Sequence, residues 1–191
     1  KGGIVAMIEA GERLLADGHD DFGYLLVVGE EVDHDGARAA TQLELRPRRI
    51  ILCEPTENRV VRAQKGMVKA RLEATGVAGH SAYPDKGHSA VHDLLEALEA
   101  IRAHPWPVDD VLGPTTLNVG VIEGGVAANV FAPSAHAELM IRTVSETEAL
   151  LSTLRALIGH RVRLDVPAAN DPVFFDPPEG VETCLASFNT D

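Results

Sequence analysis

The sequence predicts an α/β chain in two parts. The first is a portion of a parallel sheet with helices on its faces. The second, inserted after it, is a smaller unit in the order βαββαβ. Three observations carry this prediction. Residues 24–28 (Tyr-Leu-Leu-Val-Val) and 50–53 (Ile-Ile-Leu-Cys) are unbroken apolar runs, each preceded by a segment of helical character. From residue 67 the pattern changes to strict alternation of apolar and polar residues. Two strongly amphipathic helical stripes then interleave with further alternating strands.

In the first part, Ile4, Met7, Ile8, Leu14 and Leu15 stand near helical spacing and predict a helix over residues 4–17. The polar stretch Gly18-His19-Asp20-Asp21 ends it. The run 24–28 follows as a strand, apolar on both sides as a strand covered on both faces must be. Residues 36–45 read as a short helix stopped by Pro47, and residues 49–53 as a second strand. The alternation α-β-α-β favours a parallel sheet.

In the second part, Met67, Lys69, Arg71, Glu73 and Thr75 alternate with Val68, Ala70, Leu72 and Ala74, a strand with one wet face. Val91, Leu94, Leu95, Leu98 and Ile101 form one stripe of a helix over 88–103. Residues 115–122 and 135–143 are two more alternating strands. Ser145 is placed as the N-cap of a second helix, whose apolar face is Leu150, Leu151, Leu154, Leu157 and Ile158. A fourth strand over 161–166 stops before Pro167. This order is the split βαβ, or ferredoxin-like, motif: one small sheet with two helices on one face. The tail 171–191 begins with prolines and carries a helical hint at 180–188. It is expected to return to the first part. The predicted division is therefore 1–63, 64–170 and 171–191. The start at Lys1 without a preceding strand, and the end without a closing element, suggest that residues lie beyond both ends.

The 191 residues carry a formal charge of −12. Nucleic acid and anionic membrane surfaces need basic patches, so neither is expected as a partner. No apolar run approaches the roughly 18 residues of a membrane span, and no signal peptide is visible. Cys53 and Cys184 offer no disulfide framework, which fits a reducing cytoplasm. Cys53, inside an apolar run, reads as a small core residue.

Both apolar runs of the first part finish in carboxylates. Glu30 and Glu31 follow Gly29, and Glu54 precedes Pro55. Ligands of open α/β sheets bind beyond the carboxyl ends of the strands. Neighbouring strands would therefore set three carboxylates around one crevice, as ligands for a divalent cation and a base beside it. The same Glu-Glu pair also fits the polar start of a loop.

Further motifs follow in order: Lys1-Gly2-Gly3-Ile4, Gly29-Glu30-Glu31, Glu54-Pro55-Thr56, Gly79-His80-Ser81-Ala82-Tyr83-Pro84, Asn118-Val119-Gly120 with Gly124-Gly125, Asn129-Val130, and Arg142. Together they resemble the dinuclear zinc amidohydrolase and peptidase family of acetylornithine deacetylase, succinyl-diaminopimelate desuccinylase, aminoacylase and glutamate carboxypeptidase. The resemblance implies a catalytic zinc domain with an inserted lid that also dimerises. It implies Glu30 as general base, with Glu31 a ligand of one metal and Glu54 of the other. It implies that His80 reaches the partner subunit's site and steadies the tetrahedral intermediate. Asn129 and Arg142 would contact substrate, Arg142 holding its carboxylate. The cofactor would be two divalent ions, zinc in the first place, with cobalt or manganese as alternatives. The implied reaction is hydrolysis of an N-acyl amino acid, closest to acetylornithine deacetylase, with desuccinylase or carboxypeptidase as alternatives, by a homodimer. Of the expected ligands only Glu31 and Glu54 are present. The family's His-x-Asp motif and bridging aspartate would lie upstream, and its last histidine downstream. This chain alone is thus expected to bind metal poorly and to be inactive, which leaves a non-catalytic dimerisation or binding module as the rival reading.

The residues also admit plainer readings. Arg142 fits a surface charge, Asn129 a turn, and His80 a loop histidine. His88 and His92 have the spacing of helix zinc ligands but lack the glutamate of His-Glu-x-x-His, and fit a solvated or N-terminal helix face. Asp33-His34-Asp35 reads as a polar turn. Gly124-Gly125 opens no helix at once and is no phosphate loop.

Overall fold

A computed structural model of the chain describes residues 1–31, 34–57, 59–176 and 179–180, and the backbone of 183–185. It divides into two compact units, residues 1–58 and 59–191.

The first unit contains two helices among its described residues. Helix α1 (Gly2–Ala16) ends where Gly18 takes the left-handed conformation at φ 87°. There the Asp17 and Gly18 N–H groups donate to Arg13 and Leu15 carbonyls at 3.0 and 3.1 Å. The absent side chain of Gly11 lets the ring of Tyr24 lie against the helix, and Tyr24 Oη donates to the carbonyls of Met7 and Ile8 at 3.3 Å. Helix α2 (Asp35–Ala40) is shorter than the expected 36–45. The Asp33 of the expected polar turn lies outside the described residues.

The two apolar runs of this unit differ from expectation. Neither 24–28 nor 50–53 is a strand, and both are exposed, with Val28 at 73% and Ile51 at 84%. Cys53 is exposed too, rather than a core residue. The reason is pairing. A parallel strand exists only beside a neighbour that takes its N–H and C=O groups, and neither run pairs with the other or with any described segment.

The second unit follows the predicted order. Strand β1 (Val60–Gln64) precedes β2 (Gly66–Thr75) and helix α3 (Ala90–Ala103). The two-residue strands β3 (Val108–Asp109) and β4 (Gly113–Pro114) form a small hairpin. Strands β5 (Thr116–Gly124) and β6 (Ser134–Thr143), helix α4 (Thr147–Leu157) and strand β7 (Val162–Asn170) complete the motif. The main sheet has the order β5-β6-β2-β7, antiparallel throughout. This is the split βαβ arrangement: each helix crosses over between strands that are not neighbours.

Alternation explains the burial. Val68, Ala70, Leu72 and Ala74 of β2 face inward with Ala135, Ala137, Leu139 and Ile141 of β6. The alanines leave room for helices to approach. Leu94, Leu98 and Ile101 of α3 and Leu150, Leu151 and Leu154 of α4 fill that space. Each fully buried leucine contributes about 1.5–3 kcal/mol relative to an exposed one.

Three details depart from expectation. Strand β7 does not stop before Pro167 but runs on to Asn170. It lies at the sheet edge, and its register slips between Lys69↔Ala168 and Arg71↔Asp165, so the proline sits at a bulge where its missing N–H leaves no ladder bond broken. Helix α4 is not capped by Ser145. Its N-cap is Glu146, and Asp171 Oδ1 accepts both the N–H and the hydroxyl of Thr147, each at 2.7 Å. Finally, β8 (Val173–Phe174) and β9 (Thr183–Leu185) flank β1 in a second sheet of order β8-β1-β9. The expected helix at 180–188 is thus replaced by strand at 183–185, because β1 offers a parallel edge there. Residues 181–182 and 186–188 lie outside the described residues. Among the described residues no helix is long and apolar enough to cross a membrane.

Candidate active site

Two loops meet at one end of the main sheet. After β2 the chain turns at Gly76, whose N–H donates to Pro133 O at 2.9 Å. A Cβ at Gly76 would run into the carbonyl oxygens of His88 and Ala132, so three backbones converge there as only glycine allows. Val77 and His88 then exchange two backbone hydrogen bonds of 2.8 Å and close a loop that carries His80.

The segment 129–132, before β6, runs alongside this loop. His80 and Val130 form a bridge, Ser81 N–H donates to Asn129 O at 2.9 Å, and Phe131 N–H donates to Gly79 O at 2.8 Å. These bonds bring His80 and Asn129 side by side on the surface, both exposed. The orientation of the imidazole has a local cause. Ala82 N–H approaches His80 Nδ1 at 3.2 Å, so that nitrogen accepts. In the neutral ring with Nδ1 accepting, the proton stands on Nε2, which is then a donor. The ring of Tyr83 lies 5.8 Å from that of His80, and Lys86 Nζ lies 5.2 Å from the Tyr83 centroid.

Arg142 is elsewhere. It is the penultimate residue of β6, half-buried and opposite Met67 and Thr116. Strand β6 has 10 residues, so its ends are roughly 30 Å apart at about 3.4 Å per residue. His80 and Asn129 belong to the Ser134 end. The structure brings these two together and leaves Arg142 at the other end of the sheet.

Between the ends, the outer face of the sheet carries ion pairs. Glu73 takes Arg163 across the strands from β7 and Arg71, two residues away on its own strand, at 3.0 Å. The Arg163 hydrogen bond holds the Glu73 carboxyl below the usual carboxylate range and raises Arg163 in return. These groups are exposed, so water screens the pairs and each adds little stability.

The carboxylates of the first unit lie in turns and open chain. Gly29, at φ 77°, reverses the chain so that Glu30 and Glu31 occupy an exposed turn. His34 N–H closes it on Gly29 O at 2.8 Å. Glu54 is exposed and outside any strand. Among the described residues no group of three or more His, Cys, Asp or Glu side chains could hold a metal ion. Glu31 and Glu54 have the right oxygen chemistry, but zinc needs about four ligands. The residues described here do not by themselves build that centre.

Sequence reasoning missed one cluster. His88 is not on the face of α3 but ahead of its cap, Ser89. Its Nε2 lies 2.5 Å from the buried Asp93 carboxylate and 2.9 Å from Arg161 Nη1. The acid at position 93 was the available signal, one helical turn beyond the cap on the apolar stripe.

The second unit is thus an antiparallel βαββαβ fold with two loops joined at one end of its sheet. A family model described as a peptidase dimerisation domain matches residues 62–165. The chain belongs to that family, the M20 family of zinc hydrolases. A peptidase M20 domain-containing protein of Schizosaccharomyces pombe is 34% identical over 100% of this chain and 49% of its own length. A probable carboxypeptidase of Aspergillus terreus is 35% identical over 98% of this chain and 48% of its own length. The chain thus spans about half the length of the curated relatives it matches. Aminopeptidase PepT from Bacillus cereus shares the fold, with a TM-score of 0.57 at 22% identity over 81% of this chain and 43% of that one.

Proposed function

We propose that the whole protein is a metal-dependent hydrolase that cleaves the amide bond of an N-acyl amino acid. Glu30 takes the proton from the attacking water and returns it to the leaving amine. His80, through Nε2–H, and Asn129 donate to the oxygen on which charge develops. Arg142 offers a planar fork to the substrate carboxylate. Glu31 and Glu54 serve as metal ligands, with zinc as the first choice and cobalt or manganese as alternatives. When bound, the metals would polarise the carbonyl and acidify the water.

The observation that carries this reading is the hydrogen bond from Ala82 N–H to His80 Nδ1 at 3.2 Å, beside Asn129. Ala82 N–H occupies Nδ1, which leaves Nε2 as the nitrogen that donates. The distance between the two ends of β6 adds to it. A single site cannot take His80 and Arg142 from one lid, so the reading requires a homodimer in which each lid serves two sites. An isologous pair meets that requirement. The reducing cytoplasm is the proposed compartment, where an exposed free Cys53 is at no disadvantage.

The names of the relatives favour a second reading. Several are called probable carboxypeptidases. A peptide C-terminus presents the same acylated nitrogen and free carboxylate as an N-acyl amino acid. Turnover of N-acetyl amino acids against dipeptides separates the two.

The main test is complementation in the whole protein. His80→Ala should lower kcat about 100- to 1,000-fold, and Glu30→Gln should abolish most turnover. Mixing the two variants should restore about a quarter of wild-type activity, because half the dimers are mixed and each has one complete site. No restoration, with mixed dimers verified by mass, would show that His80 does not serve a neighbouring site.

A further inference from the structure

Asp93 is a buried acid that the proposed chemistry does not use. It stands in the first turn of α3, its side chain 8% exposed. Its Oδ2 lies 2.5 Å from Nε2 of His88, the residue that closes the His80 loop. Arg161, at the entrance to β7, sets Nη1 2.9 Å from the same imidazole nitrogen and 3.6 Å from Asp93 Oδ1. Three elements meet at this point: the end of the loop, the start of α3, and the chain entering β7.

A carboxylate removed from water is costly unless hydrogen-bonded and balanced in charge. The imidazole supplies a hydrogen bond and the guanidinium a compensating charge. Once Asp93 is fixed by the packing of α3, it fixes His88 in turn. His92, a helical turn further on, is exposed and takes no part.

We propose that Asp93, with His88 and Arg161, is a clamp that positions the loop bearing His80. The backbone of His88 pairs with Val77 at the base of the loop, and its side chain is held by the clamp. The remaining ties of the loop are backbone bonds from Gly79 and Ser81 to the neighbouring segment 129–131. Such bonds near solvent open by local unfolding at low cost. Holding the base closed therefore sets where the imidazole of His80 points. The link to turnover rests on the reading of His80 as an oxyanion donor. Asp93 is a positioning residue and touches no substrate.

The test is Asp93→Asn in the whole protein, read by amide hydrogen exchange and by kinetics. Exchange at Val77, Ser81 and His88 should rise about tenfold while the amides of β6 stay protected. Turnover should fall about tenfold with KM little changed, since a displaced donor weakens the transition state rather than substrate binding. His88→Gln, whose amide can still donate to Asp93, should restore most of the protection that His88→Ala loses. Arg161→Gln changes an exposed residue and gives the same reading in milder form if Asp93→Asn does not fold. Unchanged exchange in the loop would overturn the clamp. So would an equal rise across β6, which would make Asp93 a general stabiliser. Loosened exchange without any loss of turnover, in a protein whose His80→Ala variant is also fully active, would uphold the clamp and remove His80 from the chemistry.

Discussion

The two units of this chain carry similar apolar runs and use them in opposite ways. In residues 59–191, Val68, Leu72, Leu139 and Ile141 are at most 2% exposed. In residues 1–58, Leu26, Ile51 and Leu52 are 64%, 84% and 75% exposed. Hydrophobicity does not separate these residues. Pairing does. Strand β2 has a neighbour on each side and two helices over its inner face. The runs 24–28 and 50–53 have no strand beside them among the described residues. An apolar run is an instruction to be buried, but only neighbours make it a strand.

The largest effect expected from this contrast is in the core. Leu72→Ala should cost the second unit about 3–4 kcal/mol, because a fully buried leucine leaves a cavity that the sheet cannot close. Leu26→Ala in the same chain should stay within about 0.5 kcal/mol, as surface substitutions do. Urea unfolding of both variants, followed by circular dichroism, checks the pair. Equal destabilisation would mean that residue 26 is buried in solution, and the contrast between the units would collapse.

A middle-sized effect comes from a buried polar group. Thr143 is fully buried at the end of β6, and its hydroxyl donates to Ser145 O at 2.8 Å while accepting Ser145 N–H at 3.1 Å. Thr143→Val keeps the shape and leaves both backbone groups without that partner. It should cost about 1–2 kcal/mol, seen as a lower urea midpoint with an unchanged slope. No loss would show that water replaces the hydroxyl and that this corner is wetter than its burial indicates.

What the sequence made legible follows the same contrast. The alternation in 67–75 and 135–143 could be read because one face of that sheet is wet, so polarity marks every second residue. The helices α3 and α4 could be read from their stripes. Pro167 misled because a proline ends an interior strand but not an edge strand with a bulge. Strands β8 and β9 could not be read, since a few residues become strand only because β1 lies between them. The site divides likewise. His80 and Asn129 are visible as motif residues, yet their proximity depends on the bridge between His80 and Val130. The distance between Asn129 and Arg142 is hidden for the converse reason. They are near in sequence, and an extended strand carries them apart.

The smallest effect concerns pH and acts on the second unit. Among the described residues, three carboxyls are held below the ordinary range, and all lie in residues 59–191. Asp171 is lowered by the N–H and hydroxyl of Thr147, Asp109 by the N–H groups of Leu112 and Val111, and Glu73 first by Arg163. The sign follows from linkage. A carboxyl whose pKa is lower in the folded state adds stability above its unfolded value, roughly pH 4, and loses it as pH falls through the folded value. The melting temperature of the chain should therefore be flat near neutrality and fall below about pH 4. Asp171→Asn isolates one contribution. Asparagine keeps an oxygen for Thr147 but cannot carry the charge, so the variant should melt slightly below wild type at pH 7. That gap should begin to close below about pH 4 and shrink further as pH falls through the lowered folded value of Asp171. A gap of constant size from pH 7 to 3 would show that the charge of Asp171 contributes nothing and that the cap rests on hydrogen-bond geometry alone.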